Sequence, residues 1–426
     1  MFDSSSMNIL IFPAGTEIGR EIWSSLRWCK DVTLFLAGAN YDNHAQFYDY
    51  EYAYLPMVEQ EGWIAELSDF IKSNKIDFIY PAHDDVLLAL VENRKEFSAA
   101  VIAPSVETCR ITRSKRSTYL ALADLISVPN VYSESKIPSW PVFVKPDRGQ
   151  GAQGAVRVDS YQDLEHVLRI TPDAIICEYL PGDEFTVDCF SDRKRGLLFS
   201  QARQRGRIRS GIAMSSSTVS IKNIQAIAEC IGNRLRLYGA WFFQMKYSAD
   251  GVLTLLEVAP RVAGTMSLNR VRGVNFPLLS LYESLNQHFD ISTHSGEVSV
   301  SRGLSNRYKY DLEYNNIYVD FDDTLYLRGM VCLPLITLLY QCRNEGKRIY
   351  LITRHRGDIH HLLLQLRLNV IFDEIIHLTN GERKSDFISA DKSIFIDDSF
   401  SERKEVASAL GIPTFDNSMI ELLLKE

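Results

Sequence analysis

The sequence has no GxxxxGK[ST] loop and no CxxC pair, and the two glycines of its opening turn AGTEIG (14–19) lack the GxGxxG spacing. The first absence excludes a P-loop nucleotide site. The missing spacing in AGTEIG removes, at that turn, the glycine pattern that lets a dinucleotide pyrophosphate approach the backbone closely. The seven cysteines (Cys29, Cys109, Cys177, Cys189, Cys230, Cys332 and Cys342) are odd in number and widely scattered, so reduced, buried thiols are the simplest reading. No apolar run approaches the ~18 residues of a membrane span, and the opening MFDSSSM lacks the basic start of a secretion signal. A cytoplasmic protein with no membrane partner is expected. Positive charge is not in excess: 46 Lys and Arg stand against 54 Asp and Glu, a net charge of -8. Nothing draws the whole chain to nucleic acid, and any such role has to be local.

What is present is enough for several cores. A length of 426 residues suggests about two to four domains, and 46% hydrophobic content is ample to build them. Near the C-terminus the run IYVDFDDTL (317–325) reads as an apolar strand that delivers Asp320, Asp322 and Asp323 at one mouth. Carboxylates held this close repel and raise one another's pKa, so such a cluster is kept mainly where a hard cation neutralises it. Three later segments fit the same mouth: YLITR with Thr353, GERKSD with Lys384, and SIFIDDS with Asp397 and Asp398. Each is read as following a strand, and a doubly wound parallel sheet gathers the carboxyl ends of its strands along one crevice.

Together the four segments resemble the haloacid dehalogenase-like phosphatase superfamily. The resemblance implies that Asp320 is the nucleophile and Asp322 the general acid and base. It further implies that Thr353 holds the transferring phosphoryl, that Lys384 offsets its charge, and that Asp320, Asp322, Asp397 and Asp398 surround Mg²⁺. Lys392 is an alternative for the lysine. Asp320 to Thr353 is 33 residues and Thr353 to Lys384 is 31, too short for an inserted cap domain, so an open site is expected.

At the other end, MNILIFPAGTEIG (7–19) is a strand, a small-residue turn and a helix, with further strands near VTLFLAG and IDFIYPAHDD and an amphipathic helix at about 63–73. Alternating strands and helices imply a parallel, Rossmann-like sheet. Residues 142–158, VFVKPDRGQGAQGAVRV, place Lys145 before a loop with Gly149, Gly151 and Gly154. Such a loop can fold over phosphates with its backbone N–H groups, while a lysine fixed on the strand supplies a point charge.

Followed by IICEYLPGDEFTVDCFSD (175–192) and WFFQMKYSADGVLTLLEVAPRVAGT (241–265), this order resembles the ATP-grasp superfamily, particularly its carbamoyl-phosphate synthase large-chain-like members, over nearly all of residues 7–290. The resemblance implies ATP and Mg²⁺. Glu178, Tyr179 and Leu180 would line the adenine pocket, Glu184 would take the ribose hydroxyls, Gln244 and Glu257 the metal, and Arg261 with Lys115 the phosphates. One departure stands out: where the family has ExNPR, this chain has Glu257, Val258, Ala259, Pro260 and Arg261, and alanine offers no ligand atom.

In QARQRGRIRSG the arginines 203, 205, 207 and 209 recur every second residue, so one strand would project all four from one face. An anion lying across them would make that favourable, either a triphosphate met by Arg203 or an acceptor's carboxylate or phosphate. A solvated edge strand is the other reading, and RNA is disfavoured by the net charge. His83, Asp84 and Asp85 end a strand, as a turn or as a contact to acceptor. Trp241, Phe242 and Phe243 read as core.

The expected architecture is therefore α/β. A Rossmann-like domain (1–105) precedes an ATP-grasp α+β domain (106–300), then a linker (301–314) and a capless, doubly wound parallel sheet (315–426). The expected activity is an ATP-dependent carboxylate–amine ligase fused to a Mg²⁺-dependent phosphatase acting on small molecules, with phosphorylated substrates and a homo-oligomer both open. A small-molecule kinase whose product the second site hydrolyses, and a nucleotide-sensing module beside an active phosphatase, are the alternatives.

Overall fold

The computed structural model describes residues 6–149, 153–209 and 212–425. The chain forms two compact units, Met1–Gln46 with Tyr50–Leu304, and Phe47–Asp49 with Ser305–Glu426.

The first unit begins with a five-stranded parallel sheet of β1 (Met7–Phe12), β2 (Val32–Gly38), β3 (Tyr52–Tyr54), β4 (Phe78–Pro81) and β5 (Ala100–Val101), ordered β3-β2-β1-β4-β5. Its central strands are continuous apolar runs because helices cover them. These include α1 (Glu17–Leu26), α2 (Trp63–Ser73) and α3 (Asp84–Glu92). The Thr16 hydroxyl caps α1, accepting from the Gly19 N–H at 2.9 Å and donating to the Ala82 carbonyl at 2.9 Å. A Cβ on Gly19 would lie 2.4 Å from the Ala14 carbonyl oxygen, and one on Gly15 2.5 Å from Asn43. The glycines of AGTEIG thus serve close packing of the chain on itself. Helices α4 (Val106–Arg113) and α5 (Lys115–Leu122) follow.

Two antiparallel sheets complete this unit. The smaller joins β6 (Val131–Tyr132), β7 (Val142–Pro146), β8 (Val156–Val158) and β9 (Ala174–Glu178) in the order β6-β9-β7-β8. The larger is built from β10 (Glu184–Asp192), β11 (Gly196–Arg205), β14 (Ser215–Thr218), β15 (Gly239–Tyr247), β16 (Leu253–Ala259) and β17 (Ser299–Ser301), ordered β16-β15-β10-β11-β14-β17. Between β11 and β14, β12 (Ile208–Arg209) and β13 (Ile212–Ala213) make a separate hairpin.

That break corrects the expected stripe of four arginines. Strand β11 ends at Arg205, so only Arg203 and Arg205 share its face, and each is met by an acid of β10. Arg203 Nε lies 2.9 Å from Asp188 Oδ2, both side chains being buried, and Arg205 pairs with Glu184. Asn269 Nδ2 donates to the same Asp188 oxygen at 3.0 Å. Replacing Arg203 leaves a buried carboxylate with one neutral donor, so Arg203→Met is expected to cost roughly 3 kcal/mol. Urea unfolding should show this as a lower midpoint at unchanged slope.

The second unit has its own parallel sheet: β18 (Asn316–Val319), β21 (Arg348–Thr353), β22 (Glu374–His377), β23 (Ser393–Ile396) and β24 (Thr414–Phe415), ordered β22-β21-β18-β23-β24. Ile317, Val319, Leu351, Ile394 and Ile396 fill its core with Leu335, Leu338 and Leu339 of the helix Leu333–Asn344. Because β21 and β23 flank β18 on opposite sides, the chain reverses direction there, and the crevice of the sheet opens at that point. Between Asp320 and Thr353 lie the hairpin β19 (Tyr326–Leu327) and β20 (Met330–Val331) and that helix, with no inserted domain. Among the described residues, no helix is long and apolar enough to cross a membrane.

Candidate functional site

Two sites emerge, one in each unit. In the first unit Lys145, on β7, is buried, and its Nζ donates to the Tyr119 hydroxyl at 2.7 Å. That hydroxyl in turn donates to the Leu256 carbonyl of β16 at 2.7 Å. The relay holds the ammonium at the floor of a cleft between the two antiparallel sheets, and burial pulls its pKa below the ordinary lysine value. Lys145, Glu178, Tyr179, Leu180 and Glu184 line one small cavity of about 70 Å³. The Glu178 carboxylate accepts from Asn130 Nδ2 at 2.8 Å, and the Glu178 N–H donates to the Asn130 carbonyl at 2.9 Å.

Next to it, Lys115, Lys145, Gly149, Glu184, Gln244 and Glu257 line a second cavity of about 190 Å³. Lys115 Nζ donates to the carbonyls of Pro146, Asp147 and Gly149 at 3.2, 3.3 and 3.4 Å, so it pins the start of the glycine loop as well as facing the cavity. Gly154 has a left-handed φ of 68°, and a Cβ there would press on the Pro146 ring at 3.1 Å. Gly151 lies outside the described residues.

Gln244 and Glu257 are cross-strand partners on β15 and β16 and point into both this cavity and a third of about 370 Å³. One carboxylate and one amide oxygen side by side are hard ligands. They suit a Mg²⁺ whose remaining positions are filled by phosphate oxygens and water. Ala259, opposite Phe242 in the register, adds no ligand. Arg261 differs from expectation. Its forked donors are engaged by Asp84 of α3, Nε to Oδ1 at 2.6 Å and Nη2 to Oδ2 at 2.7 Å, and Nη1 donates to the Val262 carbonyl at 3.0 Å. Burial alone would raise the Asp84 carboxyl, but the guanidinium outweighs it and holds Asp84 below the usual carboxylate range. Asp85 is likewise paired with Arg113 at 2.6 Å, and His83 caps α3 by accepting from the Asp85 N–H at 3.3 Å.

In the second unit, Asp320 follows β18 directly and Asp397 follows β23. Lys384 stands between them, its Nζ 2.6 Å from Asp320 Oδ1 and 2.6 Å from Asp397 Oδ2. The lysine arrives on a short helical turn, 384–386, several residues past β22 instead of at a strand end. The Asp320 carboxyl is raised to about 7, chiefly by burial and further by Asp397, against the downward pull of Lys384. Asp320, Asp397 and Asp398 can bring one oxygen each within 4.8 Å of one another, an all-oxygen donor set suited to a hard divalent cation. Thr353 ends β21 fully buried, and Thr324 ties Asp398 in place, its hydroxyl accepting from the Asp398 N–H at 2.9 Å.

Asp322 falls outside the carboxylate triplet, contrary to its expected place among the metal ligands. It is half exposed and hydrogen-bonded to His355 Nδ1 at 2.9 and 3.1 Å. Lys392 is also removed from the site, pairing with Glu313 at 3.1 Å. Sequence reasoning missed His355, although it stands two residues after Thr353. It also missed Asp188, whose charge inside the apolar run EFTVDCF signalled a buried partner, as well as Tyr119 and Arg113.

Residues 171–304 match the family described as ATP-grasp in the biosynthetic pathway with Ter operon. No curated protein matches the sequence. Among solved structures, the chain is similar to an L-amino acid ligase from Bacillus licheniformis, at 16% identity over 67% of this chain and 75% of that one, with a TM-score of 0.54. It is also similar to N5-carboxyaminoimidazole synthetase from Staphylococcus aureus complexed with ADP, at 13% identity over 69% and 81%, with a TM-score of 0.56. A third is the biotin carboxylase domain dimer of Hydrogenobacter thermophilus 2-oxoglutarate carboxylase in complex with MgADP, ADP and bicarbonate, at 12% identity over 68% and 73%, with a TM-score of 0.56. At these identities the likeness is one of fold. The family match ends at Leu304, so the chemistry of the C-terminal sheet has to be argued from its own geometry.

Proposed function

We propose, with an ATP-grasp fold as the premise, that the first unit uses Mg²⁺ and ATP to join a carboxylate to an amine, and that the second unit hydrolyses phosphate esters. The observation that carries the first reading is the convergence of Lys115, Lys145, Glu184, Gln244 and Glu257 on one cavity between two sheets. In the reaction a carboxylate oxygen attacks the γ-phosphorus as its bond to the bridging oxygen breaks and ADP leaves. The amine then attacks the acyl carbon, phosphate departs, and the ammonium proton passes to solvent. Lys115 and Lys145 supply positive charge where the phosphates lie, and the walls exclude water from the acyl phosphate. A bound Mg²⁺ would neutralise phosphate charge; Gln244 and Glu257 are the residues that would hold it.

For the second unit the carrying observation is Lys384 bridging Asp320 and Asp397 beneath the carboxylate triplet. Asp320 attacks phosphorus to form an aspartyl phosphate while Asp322 protonates the leaving alcohol. Asp322 then takes a proton from the water that releases phosphate. His355 holds the Asp322 carboxylate at the mouth. A cation in the triplet would screen the incoming phosphoryl oxygens.

The joint test uses Asp320→Asn protein, so that a phosphorylated product cannot be erased. It is incubated with Mg·ATP and pooled amino acids, sugar acids and amines, with ADP, phosphate and new masses followed together. Equal ADP and phosphate with an amide mass is the expected result. ADP with a persisting phosphorylated compound would replace the ligase by a kinase, and ATP binding without ADP would favour a nucleotide-sensing module, the reading that Ala259 keeps in view.

A further inference from the structure

The cavity of about 370 Å³ extends well past the cavity that Lys145 and Glu184 line, and its far end has its own chemistry. A row of side chains crosses the larger sheet on one face: Glu257 on β16, Gln244 on β15, Thr186 on β10 and Arg203 on β11, each the register partner of the next. Beyond them, Arg302 follows the edge strand β17 and faces the same cavity, with Glu17 of α1.

Four arginines of this wall are already neutralised: Arg113 by Asp85, Arg203 by Asp188, Arg205 by Glu184 and Arg261 by Asp84. Arg302 is different. Its guanidinium makes no hydrogen bond or ion pair among the described residues, and Glu21 and Glu17 act on it only at longer range. Glu21 is bound to Arg270 at 2.8 Å, so it is committed elsewhere. Burial pulls the Arg302 pKa below the ordinary value, the sign of a cation kept from water without a close anion.

Glu17 and Arg302 flank Gly264: a Cβ there would stand 3.1 Å from Glu17 Cβ and 3.3 Å from Arg302 Nη2. The Glu17 side chain and the Arg302 guanidinium thus start from either side of a glycine that puts no side chain between them, and no ion pair joins them among the described residues. Along the row towards Gln244, Thr186 is 1% exposed and its hydroxyl has no hydrogen-bond partner among the described residues. A buried hydroxyl of this kind wants a polar ligand atom.

We propose that the Arg302–Glu17 end binds the zwitterionic head of an acidic α-amino acid, with its α-carboxylate on Arg302 and its ammonium by Glu17. The side chain then runs past Thr186 and delivers its carboxylate to the Gln244–Glu257 end, where phosphorylation takes place. The assignment rests on the ligase reading and names its carboxylate substrate. A guanidinium–carboxylate fork is worth about 1.5–3 kcal/mol, or about 10- to 100-fold in affinity.

The experiment is calorimetric titration of the full chain, saturated with Mg²⁺ and the non-hydrolysable analogue AMP-PNP, with L-aspartate, L-glutamate and L-2-aminoadipate. Each is compared with its α-carboxamide and its deamino diacid. At least one acid should bind, its α-amide at least about tenfold more weakly, and Arg302→Gln should bring the two together while Arg302→Lys falls between. Glu17→Gln should remove the preference for the amino acid over the diacid. AMP-PNP binding with no response to any acid, or with acid and α-amide bound equally by the wild type, overturns the proposal alone. Absence of AMP-PNP binding overturns the ligase reading and the proposal falls with it.

Discussion

Asp320→Asn is expected to lower hydrolysis of p-nitrophenyl phosphate on the order of 10⁴-fold or more, as loss of a nucleophile does, while the melting temperature moves little. The two halves have separate causes. An amide cannot form the acyl phosphate, so turnover stops at its first bond-making step. Stability survives because Lys384 keeps its 2.6 Å contact with Asp397, and the asparagine oxygen can still accept from the ammonium that Asp320 Oδ1 now meets. The substitution also removes one of three crowded carboxylates, relieving the repulsion that helps push Asp320 up to about 7. Removal of divalent cations with EDTA should silence the wild type, with Mg²⁺ restoring it. Asp398→Asn should raise the Mg²⁺ needed for half-activity by about 10- to 100-fold, since the Thr324 hydroxyl, donating at 3.2 Å, orients one oxygen of that carboxylate beside the other two acids. Unchanged turnover in Asp320→Asn would remove this residue as nucleophile. Activity indifferent to EDTA would remove the cation.

Lys145→Met is expected to separate activity from stability in the other unit. ADP formation should fall by about 10²- to 10³-fold, the scale of losing one positioned charge on a transferring phosphoryl group. The melting temperature should rise by a few degrees. The lysine is buried, its only hydrogen bond among the described residues is to the neutral Tyr119 hydroxyl, and burial is the largest influence on its pKa. A buried ammonium without a contacting anion costs stability, and a methionine of similar length fills the same space without that cost. The charge is tolerated because a triphosphate meets it during turnover, a strain of the kind that functional sites carry. Calorimetric melting alongside an ADP-coupled assay checks both. If Lys145→Met is less stable than the wild type, the lysine belongs to the scaffold; if ADP release is equal, the nucleotide assignment of this cleft is wrong.

Much of the local structure was legible because it rests on patterns within a few residues. The apolar runs at 7–12, 32–38 and 316–319 are strands, and the helix at 63–73 follows from its amphipathic spacing. The polar residues near Lys145, Glu184, Gln244 and Glu257 converge as the order of segments suggested. What was not legible depends on partners far away in sequence. Alternation alone could not show that Gly206 interrupts the run of arginines, or that Asp188 and Glu184 on the preceding strand would answer two of them. Arg261 looked available for phosphate because Asp84 lies 177 residues earlier. Asp322 looked like a ligand because its spacing from Asp320 does not reveal which way a turn residue faces. Its direction is set by His355, 33 residues on.

The Asp84–Arg261 and Asp85–Arg113 pairs also bear on how portable this architecture is. Both acids sit in the first turn of α3, in the segment before residue 105, and both arginines belong to the part that follows, with side chains about one-tenth exposed. A graft of residues 106–304 onto a foreign scaffold would carry two forked cations and leave their acids behind. The opening sheet is therefore not an interchangeable accessory. A relative that had shed it would be expected to have lost the arginines at both positions, and a recombination library cut at residue 105 should yield foldable hybrids chiefly where the incoming helix begins with two adjacent acids.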